Sequence, residues 1–129
     1  MSLVTVKQTK RVLVVDDVPD NLFLAQVILE TQGYQVDTAR SGKTALTLLE
    51  TETVKPDLIV LDLMMPKMNG YEVIVRLHNR QNLSNIPILL VTGNTSVSFE
   101  NARSAGAEGL LYKPLDMEQF LNKIERLNI

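Results

Sequence analysis

Five short strand-like runs, each followed by a segment of helix length, constrain this chain more than any other feature. The runs are Val12–Val15, Tyr34–Ala39, Leu58–Leu61, Ile88–Val91 and Gly109–Tyr112. The first, third and fourth are wholly apolar, the pattern of strands covered on both faces. Tyr34–Ala39 alternates and suits a strand nearer an edge. Strand–helix repeated five times predicts an α/β fold with a parallel sheet, helices on both faces and right-handed crossovers. At 129 residues the chain can bury one real core. Residues 1–10 carry no period and are expected to be a flexible segment ahead of a single domain over 11–129.

Local chemistry marks the helices. Pro19 suits a first turn, and the helix from Asn21 to Gln32 should stop at Gly33. Its apolar residues (Leu22, Phe23, Leu24, Ala25, Val27, Ile28, Leu29) cover more than one stripe. Burial against a sheet is the favoured reading over a second face kept for a partner. Ser41 caps a helix through Glu50 with Ala45, Leu48 and Leu49 inward. Tyr71–Arg80 is a short amphipathic helix, and 81–87 is a polar loop. Residues 95–105 are thinly apolar, so the least firmly held helix is expected there. Asp116 and Gln119 resemble a capping box, opening a stripe of Met117, Phe120, Leu121, Ile124 and Leu127.

Thirteen basic residues against 15 acidic ones give a net charge of −2, which argues against direct nucleic-acid binding. The absence of cysteine excludes disulfides, thiolate metal sites and Cys nucleophiles. No apolar run approaches the ~20 residues of a membrane span, and the N-terminus lacks a signal peptide's apolar core. A cytoplasmic domain without a membrane contact is expected.

The strand ends carry the chemistry. Asp16 and Asp17 follow the first strand, Asp62 the third, Thr92 the fourth and Lys113 the fifth. In a parallel sheet all five side chains leave one edge, where open α/β sheets place their sites. Three carboxylates packed there repel by about 4 kcal/mol per pair at ~4 Å and an effective dielectric of about 20. A divalent cation and Lys113 would cancel that charge, and an all-oxygen site fits Mg²⁺ better than zinc or copper. Thr92, Lys113 and the metal suit the outer oxygens of a phosphoryl group passing to Asp62. Taken singly, each residue is blander: an Asp after a strand is usually a turn or cap. His78 reads as a surface residue, and Met64, Met65 and Met68 as loop packing.

The motifs Val-Val-Asp16-Asp17, Asp62-Leu-Met-Met65-Pro66-Lys-Met68-Asn69-Gly70-Tyr-Glu72, Thr92 and Lys113-Pro114 resemble the receiver domain of two-component response regulators. The resemblance spans residues 11–127, with Thr92 and Lys113 30 and 51 positions after Asp62. It implies a flavodoxin-like sheet of strand order 2-1-3-4-5 and a phosphoacceptor switch. Asp62 would take a phosphoryl group from a histidine kinase or His-phosphotransfer partner. Asp17, Asp62 and the Met64 carbonyl would bind Mg²⁺ (or Mn²⁺) directly, and Asp16 through a water. Thr92 and Lys113 would each hold a phosphoryl oxygen, and the Lys113–Pro114 bond would be cis. The partners implied are that kinase, a second copy on phosphorylation, and an output domain or effector.

One departure concerns the aromatic switch residue that the family often carries three positions before the lysine. Leu110 stands there, and Tyr112 stands two residues on, so either Leu110 packing or a displaced Tyr112 is expected to serve. Met64 and Asn94 occupy positions that tune hydrolysis in the family. The enzyme alternative is a Mg²⁺-dependent phosphatase or phosphotransferase, but its usual second acid two residues after the nucleophile is Met64 here. A flavin module would have its phosphate repelled by Asp16-Asp17, and an adaptor that never takes phosphate is the remaining alternative.

Overall fold

The computed structural model describes residues 9–53 and 55–129. Residues 1–8 of the expected flexible segment lie outside the described residues. Five strands, β1 (Arg11–Val15), β2 (Gln35–Ala39), β3 (Leu58–Asp62), β4 (Ile88–Thr92) and β5 (Gly109–Tyr112), alternate with five helices. The helices are α1 (Pro19–Thr31), α2 (Gly42–Thr51), α3 (Gly70–His78), α4 (Phe99–Ala105) and α5 (Met117–Leu127). All strand pairs are parallel, in the order β2-β1-β3-β4-β5. The chain runs outward from β1 to β2 and then returns to lay β3 on β1's other side. That reversal opens a crevice between the carboxyl ends of β1 and β3.

Strand alternation divides the core in two. Leu13, Val15, Ile59, Leu61, Ile88, Leu90 and Leu110 face α2, α3 and α4. Val12, Val14, Leu58, Val60, Leu89, Val91 and Leu111 face α1 and α5. This double cover is why β3 and β4 lack an alternating pattern: every residue of both is buried.

Helix faces, caps and one loop depart from the sequence expectation. α1 buries Leu22, Ala25, Ile28 and Leu29, but Phe23, Leu24 and Val27 are exposed. A helix lying on a sheet covers one stripe, and about 100° per residue turns these three away from it. α2 turns Leu46 inward with Ala45 and Leu49, leaving Leu48 half-buried. Asp116 caps α5 by accepting from the Gln119 N–H, without the reciprocal bond of a capping box. Complete boxes form instead at Asn69/Glu72 on α3 and Ser98/Asn101 on α4. The Ser98 cap also shortens α4, which starts at Phe99 rather than near 95 and buries only Ala102. Leu83, inside the nominally polar 81–87 loop, is fully buried and closes the core under α3.

Candidate functional site

β1 carries its chain out of the core at Asp16, which is buried, and then at Asp17, half-buried. The Asp16 backbone N–H donates to the Ala39 carbonyl, and its carboxylate accepts from the Val18 N–H at 2.9 Å. These bonds fix the turn into α1. β3 delivers Asp62, also buried, one strand over. Gly70 lets α3 start directly above it: a Cβ there would stand 2.8 Å from the Asp62 carbonyl oxygen. The β3–α3 loop is thus drawn down over the acid, and the Met64 N–H reaches an Asp62 carboxylate oxygen at 3.4 Å.

Asp16, Asp17 and Asp62 each offer an oxygen, all within 4.8 Å of one another. From β5, the Lys113 ammonium closes the cup, 3.0 Å from Asp16 and 3.3 Å from Asp62. Its backbone N–H donates to the Thr92 carbonyl at 2.8 Å, so the position of the cation depends on β4. The Lys113–Pro114 peptide bond is cis. Thr92 is fully buried, and its hydroxyl accepts from the Asn94 N–H at 3.1 Å. That bond uses a lone pair and leaves the hydroxyl's own hydrogen to donate.

Burial and the neighbouring Asp16 charge push the Asp62 carboxyl up to about 6, more than Lys113 and the Met64 N–H pull it down. Burial acts to lower Lys113, but its bonds and charge interactions with Asp16 and Asp62 outweigh it and raise the ammonium above its ordinary value. An all-oxygen cluster with excess negative charge fits a hard divalent cation such as Mg²⁺.

The two residues considered for the switch separate sharply. Leu110 is buried against the α4 side of the core, whereas Tyr112 is 40% exposed. The Tyr112 hydroxyl donates to the Val97 carbonyl at 2.6 Å. Met65 is buried, while Met64, beside Asp62, is 62% exposed. His78 is exposed at the end of α3. Sequence reasoning missed Asn21, which lines a small cavity with Asp16, Asp62 and Lys113. Its spacing from Ala25, one helical turn along the sheet-facing stripe, was the available signal.

The fold is a doubly wound parallel α/β sheet with three carboxylates and a lysine gathered at its switch point. Residues 12–125 match the response regulator receiver domain, and the chain belongs to that family. It is 39% identical over 120 residues to the alkaline phosphatase synthesis transcriptional regulatory protein PhoP of Bacillus subtilis, covering 92% of this chain and 48% of that protein. Among solved structures, the Vibrio cholerae chemotaxis protein CheY4 superposes with a TM-score of 0.83 at 31% identity, covering 92% of this chain and 98% of that one. The Thermotoga maritima response regulator TrrA, in complex with Mg(2+)-BeF, gives 0.80 at 29% identity, covering 92% and 99%. The chain spans about half the length, or less, of the curated relatives it matches. No helix among the described residues is long and apolar enough to cross a membrane.

Proposed function

We propose that residues 11–129 act as one phosphoacceptor switch in which Asp62 is the acceptor, Lys113 and Thr92 hold the incoming group, and Asp16 and Asp17 complete a cation site. The observation that carries this reading is the Lys113 ammonium lying between Asp16 and Asp62 in a cup that Asp17 also enters. At neutral pH the Asp62 carboxylate is mostly ionised. One of its oxygens forms the new bond to phosphorus while the bond from phosphorus to the donor nitrogen breaks. The electron pair stays on that imidazole nitrogen, which takes up a proton.

Lys113, already paired with both acids, moves its contact to a phosphoryl oxygen, and the Thr92 hydroxyl donates to another. Mg²⁺ (or Mn²⁺) would be held by Asp17, Asp62 and the Met64 carbonyl, with Asp16 acting through a water. When bound, the ion supplies Lewis-acid stabilisation of the charge that develops on the phosphoryl oxygens.

Phosphorylation adds roughly −1.5 to −2 charge. Thr92 and Lys113, joined through their backbones, carry the response into the β4–α4 loop and β5. Either Leu110 packing or Tyr112 carries it to the surface. The donor is a histidine kinase or His-phosphotransfer domain in the cytoplasm, and the listener is an output domain, an effector or a second copy of the chain. The domain performs no turnover on other molecules.

Intact-mass measurement after incubation with acetyl phosphate and Mg²⁺ tests the assignment. The wild type should gain one phosphoryl group and Asp62→Asn none. A gain retained in Asp62→Asn, or absent from the wild type, overturns it.

A further inference from the structure

Beneath the acidic cup, on the α1 side of the sheet, lies a cavity of about 10 Å³. That is close to the minimum for one water, ~10–15 Å³. Its walls are apolar apart from four residues: Asp16, Asn21, Asp62 and Lys113. Asn21 differs from the other three. Its backbone N–H donates to the Val18 carbonyl at 3.1 Å, and its half-buried, uncharged carboxamide side chain lines the same cavity as the Lys113 ammonium. Ala25, one turn further along α1, lines the same cavity, so Asn21 lies on the sheet-facing stripe of a helix.

Lys113 supplies the complementary need. An ammonium has three donors, and its contacts with Asp16 and Asp62 use two. We propose that Asn21 is a positioning residue for phosphoryl transfer, holding the Lys113 ammonium through one water in this cavity; this rests on Asp62 being the acceptor. A buried water needs two to four polar partners, and the four polar lining residues are the available ones. A carboxamide offers both a donor and an acceptor without adding charge to a cup that already holds three acids. When Asp62 becomes an acyl phosphate, Lys113 exchanges carboxylate oxygens for a phosphoryl oxygen. A neutral anchor on its far side keeps the ammonium in place through that exchange.

A double-mutant cycle tests the idea, reading the rate of Asp62 phosphorylation by acetyl phosphate at saturating Mg²⁺. Asn21→Leu, of similar volume, should slow labelling roughly fivefold to tenfold, the effect of losing about one hydrogen bond. Combined with Lys113→Ala it should add less than about twofold, because residues acting as one unit are not additive. Mg²⁺ affinity, read by equilibrium titration without turnover, should change less than about twofold in Asn21→Leu. Asn21→Ser, which keeps a polar anchor, should recover most of the rate. Asn21→Ala replaces the leucine variant if that fails to fold, with the same pattern expected. Wild-type labelling without the carboxamide, or losses that multiply in the double mutant, overturns the proposal. Label persisting in Asp62→Asn, read with Asn21 intact, overturns the acceptor assignment instead.

Discussion

The Tyr112 hydroxyl donates a 2.6 Å hydrogen bond to the carbonyl of Val97, fastening the end of β5 to the loop that enters α4. Tyr112 is also the register partner of Thr92 across the β4–β5 pair. A displacement of Thr92 toward a phosphoryl group therefore acts on two neighbours of this clasp. Tyr112→Phe should cost about 0.5–1.5 kcal/mol and speed amide exchange around residues 94–98. Tyr112→Ala should alter phosphorylation-dependent partner binding or dimerisation. If it leaves both unchanged, Leu110 packing is the remaining switch.

Stability should depend on pH through Asp62. The folded state holds the Asp62 proton up to about pH 6, against an ordinary value of 3.8. Between these values the folded protein binds more protons than the unfolded chain, so stability falls as pH rises. The loss is at most about 3 kcal/mol once pH exceeds ~6, and smaller after solvent screening of this cluster. Denaturant unfolding in EDTA at pH 4 and pH 7.5 should show it, with the difference much reduced in Asp62→Asn. Mg²⁺ affinity should rise with pH across the same window, because binding requires the ionised carboxylate.

Gly70 tolerates no side chain. A Cβ would stand 2.8 Å from the Asp62 carbonyl oxygen and 2.9 Å from the Leu63 Cα, both backbone atoms that cannot swing aside. Gly70→Ala should destabilise the fold by about 1–3 kcal/mol and weaken Mg²⁺ binding by displacing the loop at Met64. Thermal unfolding and a Mg²⁺ titration of the same variant check both effects.

Lys67 sits in the same loop at φ 69°, left-handed backbone that a side chain disfavours. Lys67→Gly should raise stability by about 0.5–1 kcal/mol, after allowing for glycine's greater freedom when unfolded. On a chain of this size that is roughly 2–4 °C in Tm. A lower Tm would mean that the lysine side chain makes a contribution larger than the backbone strain.

Met64 presents an exposed thioether beside Asp62 and offers an attacking water only a weak acceptor and no donor. The aspartyl phosphate of the isolated domain should last minutes or longer, measured by loss of the phosphorylated mass over time. Decay within a few seconds counts against that assignment.

The fold was legible because both faces of the sheet are buried. Double burial writes itself into β1, β3 and β4 as unbroken apolar runs, and the polar residue closing each run marks where the chain leaves the core. Asp16, Asp62 and Thr92 could therefore be placed on one edge from the sequence, and Lys113 followed from the shorter run of β5. The exposed Phe23, Leu24 and Val27 were misread because periodicity reports that a helix is apolar and not how wide a stripe its sheet covers. Leu83 was overlooked because a single leucine in a polar loop has no period to reveal it.

Residue type and order by themselves determined the alternating architecture, the acidic cup and the cation that offsets it. Tertiary structure alone decided that Tyr112 would turn outward to Val97 while Leu110 stayed in the core. It also decided that Asn21 would share a cavity with Lys113, 92 residues away. The difference is physical. Burial and backbone geometry act over a few neighbouring residues and leave a periodic trace, whereas contacts between distant segments depend on helix rotation and loop path, which no local pattern encodes.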